Sequence, residues 1–110
     1  MQHPDQRIAG ARVVLFTRID HRHYPTGACL HVVNGAVPST FRGLAICQYD
    51  GEDCCYLFYC NDLWEPVTDT WHQTVEDALA QAEIEFAGSR ATWQPRDADA
   101  ASSVARASCP

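Results

Sequence analysis

The chain has 110 residues, 46% of them hydrophobic and 20% charged, with a net charge of −6. That length has room for one domain around a single core, and the composition excludes a disordered chain. An acidic balance is a poor starting point for binding a polyphosphate, so nucleic acid is not an expected partner.

The charge is unevenly spread. Residues 1–49 carry five Arg against two Asp, and residues 50–110 carry three Arg against twelve Asp and Glu. A solvated acidic face accounts for this most simply; the sharper reading is opposed surfaces for self-association or for a basic partner. No lysine occurs, as a GC-rich bacterial gene would produce. The first residues, MQHPDQRIAGA, lack the apolar core of a secretory signal. The longest apolar run falls far short of the roughly 20 residues that span a bilayer. A cytoplasmic protein with no membrane partner is therefore expected. The six cysteines, Cys29, Cys47, Cys54, Cys55, Cys60 and Cys109, are expected to be reduced, because four of them lie inside apolar, strand-like runs where cysteine packs as a small hydrophobe.

Residues 1–10 read as a flexible arm. The run Arg12 to Ile19, RVVLFTRI, is β-branched and aromatic and predicts a strand. His21 to Gly27 is a loop, and Cys29 to Val33 predicts a second strand ending at the hairpin signal Asn34-Gly35. Pro38 confines its neighbourhood to an edge or an irregular piece. Phe41 to Tyr49 predicts a third strand, and Asp50-Gly51 turns it into a fourth, Cys54 to Cys60. That fourth strand is apolar on both faces, with Tyr56, Phe58 and Cys60 on one and Cys55, Leu57 and Tyr59 on the other. Such a strand is central and covered on both sides. A turn holding Trp64 and Pro66 leads to a short fifth strand, Val67 to Thr70.

A helix is expected from Thr74 to Ala87. Val75, Ala78, Leu79, Ala82 and Phe86 recur at helical spacing. Thr74 and Asp77 form a capping box, and Gly88 suits a left-handed C-terminal cap. Leu79 is expected to be buried. One helix covers only one sheet face, so the other awaits the arm, a strongly curled sheet or a second subunit, which makes a homodimer an expectation. Residues 96–110, RDADAASSVARASCP, read as a mobile tail after a single domain at 11–95. The predicted fold is α+β: a four- to five-stranded antiparallel sheet, mostly a meander, with one C-terminal amphipathic helix packed on one face.

Chemistry-bearing patterns are sparse. The nucleotide-binding, nucleophile-elbow, zincin and calcium-loop motifs are all missing from the sequence. His21 and His23, or Cys29 and His31, would share a strand face, yet paired CxxC or HxxxH spacing does not occur, so no metal and no cofactor are expected. No catalytic residue is assigned. Cys60 and His72 flank the last hairpin and form a weak candidate ligand site, although Asp62, Glu65 and Asp69 would raise a thiol pKa there. Among the aromatics, Trp64 sits in a polar turn and is the first candidate for a partner contact, with Tyr59 and Trp71 beside it. The basic loop Arg18 to His23, RIDHRH, is a weak anion-binding candidate that an ordinary solvated loop explains as well.

The string YLFYC, then DTWH, then EDALAQAEIEF, over residues 56–86, resembles small bacterial proteins that share an apolar strand, a Trp-containing turn, TDTWH and an acidic-aromatic helix. The resemblance implies no activity and carries over no functional residue. Three strands followed by a helix opening T-V-E-D-A is also similar to the plant-type three-strand-plus-helix DNA-binding domains. Those read DNA with Arg- and Trp-bearing strands, and here the matching strands offer only Arg42. The expected function is that of a small non-catalytic protein acting through protein–protein contacts, self-associating and with an unknown protein partner. The alternative is a small-molecule-binding protein or enzyme with a site around the last hairpin.

Overall fold

A computed structural model describes residues 1–28, 31 and 41–96. The expected strand at 29–33, the Asn34-Gly35 hairpin, Pro38 and the tail beyond Arg96 fall wholly or mostly outside those residues. The fold is α+β. Its main sheet is antiparallel, built on β1 (Arg7–Ile8), β2 (Ala11–Arg18), β4 (Gly43–Gln48), β5 (Cys55–Cys60) and β6 (Pro66–His72), hydrogen-bonded in that order. The short β8 (Gln94–Pro95) pairs with β2 at Leu15 and Phe16. A second pair joins β3 (Tyr24–Pro25) to β7 (Phe86–Ala87). The helix α1 runs Val75–Glu85.

Local chemistry explains the long elements. β2 and β5 are rich in β-branched and aromatic residues, which favour the pleated, half-buried surface of a sheet. Gly51, at φ +81°, supplies the left-handed turn residue between β4 and β5. Thr74 caps α1 as expected: its side chain accepts the Asp77 backbone N–H at 3.1 Å. At the other end Phe86, not Gly88, is the capping residue, because the chain leaves α1 directly into β7. Gly88 is left-handed at φ +96° but opens the short 3-10 turn Ser89–Ala91. Glu83 ties that turn to the helix, accepting the backbone N–H groups of Gly88 and Arg90 at 2.9 Å each.

The two faces of β5 feed two separate clusters. Leu44, Ile46, Cys55, Leu57 and Tyr59 share one with Ala78, Ala82 and Phe86. Leu79, expected to be fully buried, is only half-buried at the margin of that cluster, and the buried helix positions are Ala78, Ala82 and Glu85. Ala11, Val13, Phe16, Ala45, Cys47, Phe58 and Cys60 form the other cluster, closed by Ile8 and Trp64. The first ten residues thus depart from a loose arm: β1 pairs back on β2, Pro4 is fully buried, and Ile8 enters the core. The cover for the second face comes from within the chain.

The two ends of the sheet differ. The outer edge of β2 is occupied from Ala11 to Phe16, by β1 at Ala11 and Arg12, by Gln6 accepting the Val13 N–H, and by β8 at Leu15 and Phe16. β6 is the last strand in the order, seven residues long, with no strand beyond it among the described residues.

Candidate functional site

The turn after β5 places Trp64 opposite to expectation. Asn61 organises the turn: its Oδ1 accepts the N–H groups of Leu63 and Glu65, both at 2.9 Å, and its amide donates to the Glu65 carboxylate. Trp64 takes the left-handed conformation, φ +61°, which swings its ring inward. The indole is 8% exposed, sits edge-on to Phe16 at 5.7 Å and donates Nε1–H to the Gln2 carbonyl at 2.5 Å. The ring lies over Gly43, where an added Cβ would come closer than 3.0 Å to three of its carbons. Trp64 is therefore a core residue, not a surface contact, and glycine at the start of a strand was the one sequence signal of that close approach.

Tyr59 is corrected in the same way. It is fully buried, and its hydroxyl donates a short hydrogen bond to Glu85 Oε2. Glu85 is 4% exposed and also accepts from Gln81 Nε2 at 2.7 Å, while His31 Nε2 lies 2.7 Å from its Oε1. A buried carboxylate is tolerable only when paired and hydrogen-bonded, and this one has donors on both oxygens. The signal for Glu85 in the sequence is its place on the apolar stripe of α1, seven residues after Ala78 and three after Ala82.

Of the three expected contact residues only Trp71 stands on the surface, 57% exposed on β6. Cys60 and His72 are not brought together. Cys60 pairs with Pro66 at one end of the β5–β6 ladder and His72 with Cys55 at the other, separated by about 16 Å of strand. Cys60 belongs to the Trp64 cluster, and its burial pushes the thiol pKa up to about 12. Burial likewise raises Cys55 to about 11 and Cys47 higher still. Such thiols are inert at neutral pH. His72 accepts or donates a 2.7 Å hydrogen bond with Thr70 Oγ1, and burial lowers its pKa.

The loop after β2 is more structured than a solvated basic run. Arg22 grips Asp20 through Nε and Nη2, both at 2.9 Å, which holds the Asp20 carboxyl far below the usual carboxylate range. His23 points inward. Its Nδ1 accepts the Asp20 N–H at 3.1 Å, so the proton sits on Nε2, which donates to Thr92 Oγ1 at 2.8 Å. Burial depresses its pKa.

Two surface clefts lie near these elements. One, of about 520 Å³, runs between residues 1–9 and the Asp62–Pro66 turn. The other, of about 480 Å³, is lined by Met1, Arg18, Ile19, Asp20, Arg22, Arg42 and Asp62. Among the described residues no three His, Cys, Asp or Glu side chains gather as metal ligands, and no helix is long and apolar enough to cross a membrane. No protein-family model, curated protein or solved structure matches the chain.

Proposed function

We propose that this is a small non-catalytic protein that acts through protein–protein contact, and that the contact is made by strand β6 with a second copy of the chain. The observation that carries the reading is the asymmetry of the sheet. The β2 edge is occupied by β1 and β8, whereas β6 ends the order with Trp71 standing 57% exposed on it. An edge strand of this length presents a row of backbone donors and acceptors suited to pairing with another strand. In this reading α1 covers the Leu57 face and Trp64 the Phe58 face, which leaves the edge rather than a face for association.

Electrostatics selects a register. A two-fold pairing centred on Asp69 would set two carboxylates directly opposite each other, which is unfavourable. Centred on Thr70, the same pairing sets Trp71 of each copy opposite Asp69 of the other. Light scattering over a concentration series tests this on the wild type, Trp71→Glu and Trp71→Lys. The expected result is a dimer that Trp71→Glu dissociates, by opposing Asp69, and that Trp71→Lys preserves. A monomer at all concentrations, or a dimer indifferent to both substitutions, would refute the proposal.

A further inference from the structure

The cleft at the other corner of the sheet has a distinct chemistry. Cross-strand register builds it: Arg18, the last residue of β2, pairs with Gly43, the first of β4, and Gly43 pairs with Cys60, the last of β5. The Ile19 N–H donates to the Arg42 carbonyl at 2.9 Å, and the Arg42 N–H to the Cys60 carbonyl at 2.8 Å. Three strand ends therefore deliver Arg18, Arg42 and, just past Cys60, Asp62 to one place, and the loop after β2 adds Asp20 and Arg22.

The charges around this cleft are not all spent. Arg22 and Asp20 neutralise each other through their two-point contact. Arg18 donates Nη1 to the Met1 carbonyl at 2.7 Å, a neutral partner that leaves its charge uncompensated. The Arg42 side chain has no hydrogen bond or ion pair among the described residues, and neither does the Asp62 carboxylate. Among the described residues, neither Arg18 nor Arg42 is bonded to an acidic side chain, and both line the cleft with the Asp62 carboxylate, on a chain whose net charge is −6.

We infer that this cleft, between Arg18, Arg42 and the Arg22–Asp20 pair, binds a small oxyanion: the phosphate or carboxylate group of a small molecule. Guanidinium forks donate two parallel hydrogen bonds to such groups, and two arginines lining one cleft suit a ligand with several acceptor oxygens. Half-buried Ile19 gives one apolar wall. The acidic remainder of the chain and Asp62 at the cleft oppose long polyanions, so the ligand is small and its charge local. The cleft is independent of the β6 contact, and failure of either leaves the other standing.

The test is a titration of the ¹⁵N-labelled full chain, followed through the arginine Nε–Hε and backbone amide resonances. Inorganic phosphate and succinate are the two probes, with sodium chloride at matched ionic strength as the control. Saturable shifts at Ile19, Arg42 and Asp62 with either probe are expected, and the probe that saturates at lower concentration tells phosphate from carboxylate. Arg42→Gln is expected to weaken binding about tenfold, the loss of one charge-assisted contact. Arg12→Gln, at the far end of β2, is expected to leave it unchanged, and Asp62→Asn to tighten it by removing the competing carboxylate. Shifts that track ionic strength alone, or equal weakening by Arg42→Gln and Arg12→Gln, would overturn the inference.

Discussion

Replacing Gly43 by alanine adds one methyl group where the Trp64 ring leaves no room for it. The new Cβ would lie closer than 3.0 Å to three carbons of the Trp64 ring, so the ring has to move. It is held by the Gln2 hydrogen bond at 2.5 Å, by Phe16 at 5.7 Å and by the backbone of the turn. Overpacking of this kind costs about 1–3 kcal/mol, and disturbing the indole hydrogen bond adds about 1 kcal/mol. The loss of glycine's freedom in the unfolded chain returns about 0.4–1 kcal/mol. The net expectation is a destabilisation of about 1–3 kcal/mol, or a fall in Tm of roughly 4–20 °C for a domain of this size. Urea denaturation monitored by circular dichroism measures it. The decisive form is a double-mutant cycle with Trp64→Ala, which alone costs about 3–5 kcal/mol. Once the ring is gone the alanine at 43 has no obstacle, so its penalty should vanish, or reverse by the gain of about 0.4–1 kcal/mol from the unfolded chain. The coupling should then be at least the single-mutant cost. An unchanged penalty in the Trp64→Ala background would show that the ring is not what Gly43 accommodates.

The buried polar groups and thiols have consequences of their own. His23 and His72 both have pKa values lowered by burial in the folded state. The unfolded chain therefore binds more protons below their ordinary pKa, and stability is full above about pH 6.5. It should decline as the pH falls through that value towards the folded pKa values, and His23→Gln should flatten the slope of Tm against pH below about 6.5. Glu85→Ala leaves Tyr59, Gln81 and His31 without a shared acceptor and should cost about 3 kcal/mol, more than Tyr59→Phe in the same urea assay. Alkylation of the native protein by iodoacetamide at about pH 8, mapped by mass spectrometry, should mark half-buried Cys54 well before Cys47, Cys55 or Cys60, whose thiols are buried and have raised pKa values. Equal labelling of all four would contradict the packing described.

Local signals made much of the scaffold legible. Asp50-Gly51 marked the β4–β5 turn, the Thr74–Asp77 pair marked the start of α1, and the uniform apolarity of Cys55–Cys60 showed that both faces of β5 are covered. The features that stayed hidden depend on partners distant in sequence. β1 and β8 are two-residue strands that exist only because β2 offers them an edge. Trp64 looked exposed in a polar turn, and its burial needs the left-handed backbone at 64 together with the bare Cα at 43. Glu85 read as one more charge on an acidic helix, since nothing local announces the hydroxyl of Tyr59 above it. The arginine cleft was half visible: the loop from Arg18 to His23 stood out as basic, but only the register of Arg18 with Gly43 brings Arg42 alongside.

Whether β6 is the contact edge is tested most directly by amide hydrogen exchange along Pro66–His72 as the protein is concentrated from micromolar to millimolar. Pairing between copies predicts that the outward-facing amides of β6 slow with concentration while those of β2 and β4 do not change. Exchange in β6 that stays the same across that range would contradict it.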